Sequence, residues 1–572
     1  MDRYSGKKPA GNEVGGRIEA VQTIAEELGI PKLVAKILLA RNVKNPDDAR
    51  LFLNPRLEDL SEPFLMPDME KGVERVISAL AGRETICLYG DYDADGVTSV
   101  ALMSNFFKHL GVHPIIYIPT RQEGYGLHRR AIEMFREKEV TLLISLDCGS
   151  SNVEEVQYAK ERGMDVVIID HHEMGRNAPL ACALINPKRK DSRFPTRDLA
   201  ACGVAFFFLL ALRRTMHTRC LLNKTINLKK ELDIVTVGTV GDMVPLTGDN
   251  RIMVKHGMDL MNKQPKTWLK TMHKKRTITK GIIDEFTLGF IIIPRINAAG
   301  RVSKPESSFN FLASEDEFLA ASYLKGLEDA NRHRQRIEEQ IVREVVAELK
   351  KGPHTEKNSI VAFNEKWHVG VLGIVAQKLA EMFKKPAIVI TKLNGVWKGS
   401  GRGVAGMDLF ETISSLSPLL LKYGGHRFAC GISLAEENLF AFADAFEKNV
   451  TRCDNHKEKR EISCDAEAEF DELTTELMDC IARLSPFGVG NPRPSISLRP
   501  AGIEQLKYGR VKIMDKNKRA WYGYMPVDQR IPRSDTFYCI ASPVLKMEMG
   551  ERFINLNIKE ITENPILCNL AT

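Results

Sequence analysis

The sequence lacks any long apolar segment. No run approaches the ~18–20 uncharged residues that a membrane-spanning helix needs. Residues 1–16 carry charges but no apolar stretch of the kind found in a signal peptide. The 11 cysteines include no C-x-x-C pair, so the spacing favours reduced, buried thiols over a zinc site or a redox couple. We therefore expect a cytoplasmic protein with no membrane contact.

The composition is that of an ordinary globular protein. Of the 572 residues, 44% are hydrophobic and 27% are charged, which excludes a disordered scaffold and a fibrous protein. The length predicts about three to five domains. The formal net charge of +7 is mild for this size and does not by itself indicate a nucleic-acid partner.

The pattern along the chain predicts five regions. Short β-branched runs alternate with helical stretches between about residues 85 and 187, which is typical of a parallel, doubly wound α/β sheet. Ser314 and Glu317 have the spacing of a capping box and no proline follows until Pro353, so we expect a long connecting helix that could divide at Gly326. The predicted regions are 1–80 (N-terminal helical region), 81–313 (first α/β domain), 314–352 (connecting helix), 353–455 (second α/β domain) and 456–572 (small β domain).

Acidic and imidazole side chains directly follow three of the predicted strands. In an open parallel sheet such strand ends meet at one crevice. Carboxylates held this close repel one another unless a cation compensates them, and mixed Asp/His ligands suit Mn²⁺ or Mg²⁺. The alternative for each residue alone is a turn or a helix cap, but the coincidence on three strands favours a metal site. The residues are Asp91, Asp93 and Asp95, then Asp147, and then Asp170, His171 and His172.

Nine ordered segments resemble the DHH phosphoesterase family. More narrowly, they resemble the branch of that family that degrades single-stranded DNA from its 5′ end, and the likeness runs from about residue 20 to beyond residue 560. The segments are 90–96 (GDYDADG), 123–127 (EGYGL), 146–149 (LDCG), 170–172 (DHH), 238–242 (GTVGD), 294–301 (PRINAAGR), 367–371 (WHVGV), 424–426 (GGH) and 486–492 (PFGVGNP).

The resemblance implies phosphodiester hydrolysis with two divalent ions, Mn²⁺ or Mg²⁺. Such ions lower the pKa of a bound water and clamp the phosphate. His172 would hold the phosphate or the leaving group, while Asp95 would support the loop. The implied metal ligands are Asp91, Asp93, Asp147, His171 and Asp242, with Asp147 bridging the two ions.

The resemblance also implies substrate-binding groups outside the metal site. The second α/β domain would be the DHH-associated domain, lying across the cleft, and the β domain would be OB-like, with cations that follow phosphates and aromatic rings that stack on bases. The structural alternatives are a capped tight turn, a salt bridge beneath the site, and a charged hairpin on a solvated face. The implied residues are Arg295, Arg301, Ser400, Arg402, Gly424, Gly425, His426, Lys507, Arg510 and Trp521.

The function expected from the resemblance is a single-strand-specific 5′→3′ DNA exonuclease of repair and recombination. A single-stranded-DNA-binding protein and a helicase are the partners it implies. The alternative within the same chemistry is a phosphoesterase for oligoribonucleotides or other small phosphoesters, which would not need the N-terminal region or the β domain. A catalytically silent DNA-binding factor is disfavoured because every acidic motif is present.

Overall fold

The computed structural model describes residues 11–563, except 176, 223, 280, 352–356, 455–463, 527–528, 530, 533–536 and 549. Among the described helices, none combines the length and the apolar character needed to cross a membrane. The helices are α1 (Gly11–Leu28), α2 (Lys32–Ala40), α3 (Pro46–Leu53), α4 (Met69–Ala81), α5 (Ala94–His109), α6 (Arg129–Glu137), α7 (Val153–Glu161), α8 (Ala201–Thr218), α9 (Leu232–Gly241), α10 (Gly248–Lys263), α11 (Thr267–Lys274), α12 (Ile293–Val302), α13 (Glu306–Ala313), α14 (Glu317–Lys351), α15 (Leu372–Phe383), α16 (Leu409–Ser414), α17 (Leu439–Asp454) and α18 (Thr475–Ala482).

The first sheet has five parallel strands, as the sequence predicts. Its strands are β1 (Ile86–Tyr89), β2 (Ile115–Tyr117), β3 (Leu142–Leu146), β4 (Asp165–Ile169) and β5 (Ala183–Ile185), in the order β2-β1-β3-β4-β5. Every residue of β1 and β3 is buried, because helices cover both faces of the sheet. The direction of winding reverses between β1 and β3, and ligands bind at such a switch point in open α/β sheets. The doubly wound fold class is therefore confirmed.

The connecting helix α14 is continuous over 35 residues and does not divide at Gly326. Its first turn is capped by Asp316, whose Oδ1 accepts the Leu319 N–H at 2.8 Å. The Ser314 hydroxyl donates instead to the Asp316 carbonyl at 3.0 Å. The capping box predicted at Ser314 is therefore wrong, because a carboxylate one residue before the helix is the better acceptor for its free N–H groups.

The second α/β domain carries a mixed five-stranded sheet. Its strands are β6 (Ile360–Phe363), β7 (Ala387–Leu393), β8 (Val396–Arg402), β9 (Lys422–His426) and β10 (Ala429–Leu434), in the order β6-β7-β8-β10-β9. Strands β6 and β7 pair in parallel, and the other neighbours in this sheet pair antiparallel. Strand β9 forms one edge of the sheet and all five of its residues are exposed.

The C-terminal region forms a seven-stranded sheet that shares its core with the N-terminal helices. Its strands are β11 (Ala466–Glu467), β12 (Ile496–Leu498), β13 (Gly502–Gln505), β14 (Arg510–Met514), β15 (Ala520–Tyr524), β16 (Tyr538–Glu548) and β17 (Glu551–Thr562), in the order β11-β12-β16-β17-β15-β14-β13.

The described part of residues 1–80 does not pack as one unit. Apolar residues of α1, α2 and α3 pack with those of α18 and the seven-stranded sheet, whereas α4 packs in the core of the first sheet. The predicted boundaries at 352/353 and 455/456 lie outside the described residues.

Arg251 of α10 connects these units. Its buried guanidinium donates to the carbonyl oxygens of Phe52, Arg483, Leu484, Ser485 and Pro486. Burial lowers the pKa of Arg251 to about 9. The first α/β domain is thereby attached to both the N-terminal helices and the segment that leads into the C-terminal sheet.

Candidate active site

The first acidic segment turns sharply from β1 into α5. Asp93 caps α5, since its Oδ1 accepts the N–H groups of Asp95 and Gly96 at 3.0 and 3.2 Å. A Cβ on Gly96 would lie 2.4 Å from the backbone nitrogen of Asp91, so the loop folds back this tightly only with glycine there. As a result, carboxylate oxygens of Asp91 and Asp93 lie within 4.8 Å of Asp147, at the end of β3.

The other predicted ligands converge on the same place from β4 and α9. His171 Nε2 lies 3.3 Å from Asp147 Oδ1, and His171 Nδ1 lies 3.6 Å from Asp242 Oδ2. Asp242 is the C-cap of α9. Asp147 takes part both in the donor group of the β1 loop and in the group with the two histidines. We refer to Asp91, Asp93, Asp147, His171 and Asp242 as the acidic cluster.

Burial and mutual repulsion outweigh the nearby positive charges at the carboxylates of the acidic cluster. Burial, and then repulsion from Asp93, raises the pKa of Asp91 well above its usual value. Burial, and then the charge of Asp95, likewise raises the pKa values of Asp147 and Asp242. Among the residues that the structure describes, Asp91 Oδ1, Asp147 Oδ1 and both ring nitrogens of His171 are buried without a hydrogen-bond partner. Buried polar atoms normally have partners, so this set of oxygen and nitrogen donors fits divalent cations such as Mn²⁺ or Mg²⁺.

Asp95 has a structural place beside the acidic cluster. It is buried, and its two carboxylate oxygens accept the N–H groups of Ala201 and Cys202 at 2.6 and 2.9 Å, which ties the start of α8 to the β1 loop. Its Oδ2 lies 3.9 Å from His171 Nε2. Asp95 therefore ties the β1 loop to α8, and it also forms a group of possible metal donors with His171 and Asp242.

His172 lies at the opening of the site and is oriented by Asp170. The His172 Nδ1 lies 2.8 Å from Asp170 Oδ1 and 3.0 Å from the Tyr125 hydroxyl. Burial would lower the pKa of His172, but the hydrogen bond with Asp170 raises it to about 9. Burial would raise the pKa of Asp170, but its hydrogen bonds hold it well below the usual value. The Asp170 carboxylate therefore favours the protonated form of His172.

Two residues near the site were not assigned a role from the sequence. The Tyr125 hydroxyl reaches both His172 and the carbonyl of Asp147, the latter at 3.2 Å. The Arg121 guanidinium lies 4.2 Å from the centre of the Tyr92 ring, in the loop between Asp91 and Asp93. Tyr125 belongs to the 123–127 segment and Arg121 comes just before it, so that segment was the available signal.

Arg121, Arg301 and Arg402 form a second group, which we call the arginine cluster. Burial, and then the charge of Arg121, lowers the pKa of Arg301 to about 9. Burial lowers the pKa of Arg402, and Arg121 adds to this effect. The charge of Arg121 also opposes the rise in the pKa of Asp91. The contacts agree with the proximity that these effects imply, since Arg121 stacks on Tyr92 of the β1 loop, Arg301 donates to the Gly370 carbonyl, and Arg402 Nη2 would lie 3.1 Å from a Cβ added at Gly373.

The contacts of the arginine cluster leave its charge available. Arg301 Nη1 donates to the Gly370 carbonyl at 3.0 Å. Arg402 Nη1 donates to the Gly401 carbonyl at 2.8 Å and lies 3.3 Å from Ser400 Oγ. These acceptors are neutral, so the cluster suits an anion that lies between the first and second α/β domains.

Arg295 points away from this group. Its Nη1 donates to the Ile291 carbonyl at 2.7 Å, and its Nε lies 4.0 Å from Glu328 of α14. Arg295 and Arg301 are six residues apart in α12, so they lie about 120° apart around the helix. This placement favours the structural alternative for Arg295 and a site-facing position for Arg301.

The glycine-rich segment lies in the same sheet as Ser400. Gly431 of β10 is opposite Ser400 on one side and Gly424 on the other. An added Cβ at Gly424 or Gly431 would meet no atom within 4 Å, so this strip is open. A Cβ at Gly425, whose φ is +144°, would lie 2.2 Å from the Ala429 carbonyl oxygen. His426 Nδ1 accepts the Phe428 N–H at 3.4 Å, a turn contact at the exposed edge.

The seven-stranded sheet presents cations and rings on its outer face. Arg510 pairs with Tyr524 and Lys512 with Tyr522 across β14 and β15, and these positions alternate with buried ones. Lys507 is exposed in the turn before β14. The Trp521 ring instead packs against Phe470, with centroids 5.6 Å apart. This contact favours a structural role for the tryptophan.

Three family matches cover most of this architecture. Residues 85–239 match the DHH family, N-terminal domain, residues 356–452 match the DHHA1 domain, and residues 464–521 match the RecJ OB domain. Among solved structures, the fold is similar to RecJ from Thermus thermophilus in complex with Mn²⁺, with a TM-score of 0.82, 24% identity, and coverage of 96% of this chain and 78% of that one. A second structure, exonuclease RecJ bound to manganese, has a TM-score of 0.58 and 29% identity, with 68% of this chain and 97% of that one covered.

Curated relatives carry the same name. The chain is 33% identical over 495 residues to the single-stranded-DNA-specific exonuclease RecJ of Bacillus subtilis, covering 86% of this chain and 61% of that relative's length. It is 31% identical over 500 residues to RecJ of Haemophilus influenzae, covering 84% of this chain and 85% of the relative, and 30% identical to RecJ of Escherichia coli, with 84% and 85% covered. The chain therefore belongs to the RecJ family of the DHH phosphoesterases.

Proposed function

We propose that this chain is a metal-dependent exonuclease that hydrolyses single-stranded DNA in the 5′→3′ direction, in repair and recombination. The relatives that match most of the chain are named single-stranded-DNA-specific exonucleases. The observation that carries the proposal is the position of the arginine cluster beside the acidic cluster. One group of side chains suits cations and the other suits a phosphate, and phosphodiester hydrolysis needs both.

The acidic cluster would hold two divalent ions, Mn²⁺ or Mg²⁺. Bound there, the ions supply Lewis acidity to the scissile phosphate and lower the pKa of a water molecule. Asp147 would be a ligand common to both ions, because it belongs both to the donor group with Asp91 and Asp93 and to the one with His171 and His172. The relative that is 29% identical was solved with manganese bound, which supports this choice of metal.

His172 would act on the phosphate from the opening of the site. Its Nδ1 is directed at Asp170, so its Nε2 remains to donate a hydrogen bond or a proton. With a pKa raised to about 9, the ring carries that proton at neutral pH. We propose that Nε2–H binds a non-bridging oxygen or protonates the leaving oxygen.

The arginine cluster and Ser400 would bind the 5′-terminal phosphate. A terminal phosphate carries more negative charge than an internal one, and the planar guanidinium fork matches its oxygens. Arg301 comes from α12 and Arg402 from β8, so the pocket lies between two domains and suits the end of a strand. The open strip at Gly424 and Gly431 gives the backbone room beside Ser400.

The remainder of the strand would extend to the outer face of the seven-stranded sheet. Arg510 and Lys512 supply cations beside the rings of Tyr522 and Tyr524, and such faces bind single strands without demanding a sequence. We also propose, from family resemblance, a single-stranded-DNA-binding protein and a helicase as partners, and the cytoplasm as the location. Co-purification with each partner in the presence and absence of DNA tests this part.

Short strands labelled at the 3′ end test the function. We expect hydrolysis with Mn²⁺ or Mg²⁺ and none in EDTA, faster on a 5′-phosphorylated 20-mer than on its 5′-hydroxyl form, and little on duplex. Arg402→Ala should reduce the preference for the 5′-phosphate by roughly 10- to 150-fold, the worth of a hydrogen bond to a charged group. Arg332→Ala, on an exposed arginine of α14, is the matched control and should keep the preference.

Two results would contradict the proposal. Removal of nucleotides from the 3′ end first would show that the assigned polarity is wrong. Equal or faster hydrolysis of two- to five-residue RNA would favour the oligoribonucleotide alternative, which the names of the relatives do not support.

A further inference from the structure

Two exposed phenylalanines precede α12. Phe286 and Phe290 are 48% and 71% exposed, and their rings stack with centroids 4.8 Å apart and 23° between the planes. Phe290 lies in the π-helical turn Thr287–Ile292, directly before α12. Such turns are rare and are frequent at functional sites. Large apolar surfaces kept in water commonly mark a place where something binds.

The helix face that carries this pair leads to the active site. At Gly241, the residue before Asp242, an added Cβ would lie 3.6 Å from Ile293 Cγ2. Asn297 Oδ1 accepts the N–H of Ala94, the residue after Asp93, at 2.8 Å. Spacings of three and four residues keep one face of a helix. The residues that follow Phe290 at these spacings are Ile293, Asn297 and Arg301.

The order along this face matches the proposed path of the strand. Arg301 belongs to the 5′-phosphate pocket, Asn297 touches the β1 loop, and Ile293 lies beside the second half of the acidic cluster. Phe290 and Phe286 precede Ile293 by three and seven residues, on the side away from Arg301. On a strand that runs from Arg301 past Ile293, the pair would therefore lie on the 3′ side of the scissile phosphate.

The neighbouring acid does not repel a strand at this place. Glu285 lies 3.0 Å from Arg493, and its other oxygen accepts the Ser485 hydroxyl and the Phe487 N–H. The Glu285 side chain is thus turned toward residues 485–493, which lead into the C-terminal sheet. The phenylalanine pair lies between the metal ligands and that sheet.

We propose that Phe286 and Phe290 stack on unpaired bases of the substrate on the 3′ side of the scissile phosphate, and so hold the strand in register for hydrolysis. This inference rests on the proposed function. Aromatic rings stack on any base, so the contact would tolerate all sequences. Bases in a duplex already stack on their neighbours, so a single strand would gain most from the contact.

A scan with abasic sites tests the proposal. A 5′-phosphorylated strand carries one abasic site, moved from position 2 to position 8, and the first cleavage is measured in single turnovers with Mn²⁺ at several enzyme concentrations. For the wild type, the half-saturating enzyme concentration should rise about 5- to 150-fold when the abasic site takes the place of a base that would contact the phenylalanine pair. The maximal rate should change less. The phosphates are unchanged in every strand, so the scan isolates the bases.

Variants complete the design. Phe286→Ala/Phe290→Ala should raise the half-saturating enzyme concentration for intact strands and flatten the scan. Phe290→Trp, which keeps an aromatic ring, should retain the wild-type scan. Phe318→Ala, at an 82% exposed phenylalanine in the first turn of α14, is the matched control and should keep the wild-type scan. A flat scan for an active wild-type enzyme, or an unchanged peak in the double variant, would overturn the inference. If the wild type hydrolyses no intact single strand with either metal, the proposed function itself has failed.

Discussion

Asp147→Asn should change activity and stability in opposite directions. The Asp147 side chain is buried, its Oδ1 has no hydrogen-bond partner among the described residues, and burial and neighbouring aspartates raise the pKa of its carboxyl. Without metal ions, the ionised form is a buried and unpaired charge. Asparagine removes that charge at nearly constant volume. We therefore expect a metal-free variant that is more stable than the wild type, and a metal-loaded variant that is nearly inactive.

The expected magnitudes follow from the position of Asp147 in the acidic cluster. Replacing a poorly compensated buried charge by a neutral group gains about 1–4 kcal/mol in many proteins. Each kcal/mol shifts the unfolding midpoint by roughly 2–4 °C for a unit of 150–250 residues. Mn²⁺ at 100 times its Kd should add about 2.7 kcal/mol to the wild type and much less to the variant. Turnover should fall by at least about a thousandfold, because the ions supply several kcal/mol of transition-state stabilisation.

Two measurements test these expectations. Thermal unfolding in EDTA and at increasing Mn²⁺ concentrations measures stability, and turnover on a single strand measures activity. Asp249→Asn is the matched control, a buried aspartate in the same domain. Its Oδ1 accepts the Ser61 N–H at 2.8 Å and its Oδ2 accepts the Thr196 hydroxyl at 2.6 Å, so the same substitution should lower stability by about 1–3 kcal/mol with or without Mn²⁺. The reasoning is refuted if Asp147→Asn lowers the midpoint in EDTA, gains as much from Mn²⁺ as the wild type, or keeps more than about a tenth of its turnover.

Three further variants address other parts of the molecule. Arg251→Met should lower the free energy of unfolding in urea by at least about 1–3 kcal/mol, because five carbonyl oxygens lose their donor; an unchanged midpoint would contradict this. Lys512→Ala should reduce the log–log salt slope of strand binding by ~0.7, measured by anisotropy, whereas Lys516→Ala, which breaks a pair with Glu469, should change it less. Tyr125→Phe should reduce turnover by about 2- to 13-fold and alter its pH profile, because its hydroxyl contacts His172; an identical profile would count against that contact.

The part of the site that lies at strand ends could be predicted from local patterns. Short apolar runs each end in an acid or a histidine, and parallel strands bring their carboxyl ends to one edge. The sequence therefore predicts that Asp91, Asp147 and His171 meet, and in the structure Asp147 shares one donor group with Asp91 and another with His171. Asp242 lies at the end of a helix rather than a strand, and only the family resemblance drew attention to it.

Contacts between distant parts of the chain could not be predicted from local sequence patterns. The helices α1 to α3 pack on residues more than 400 positions away, and their apolar spacing is the same whichever partner covers them. Arg121 lies in a polar loop without periodicity, and the 123–127 segment that follows it does not reveal that its side chain approaches Arg301 and Arg402. In both cases the information lies in the tertiary arrangement and not in the nearby sequence.

Arg295 and Arg301 belong to one motif but lie on different faces of α12, which explains why their surroundings differ. Residues 290, 293, 297 and 301 lie on one face, and Arg295 lies about 120° from Arg301, toward α14. An α-helix rises by 1.5 Å per residue, so the distances between the phosphate pocket at Arg301, the β1 loop at Asn297 and the Asp242 side of the cluster at Ile293 are set by one rigid element. An added Cβ at Gly300 would lie 2.1 Å from the Tyr92 carbonyl oxygen, so this helix is packed directly against the acidic loop. A strand whose 5′ end is held at Arg301 would therefore present a defined phosphate to the metal ligands, which is the geometric requirement for removing nucleotides from one end in order.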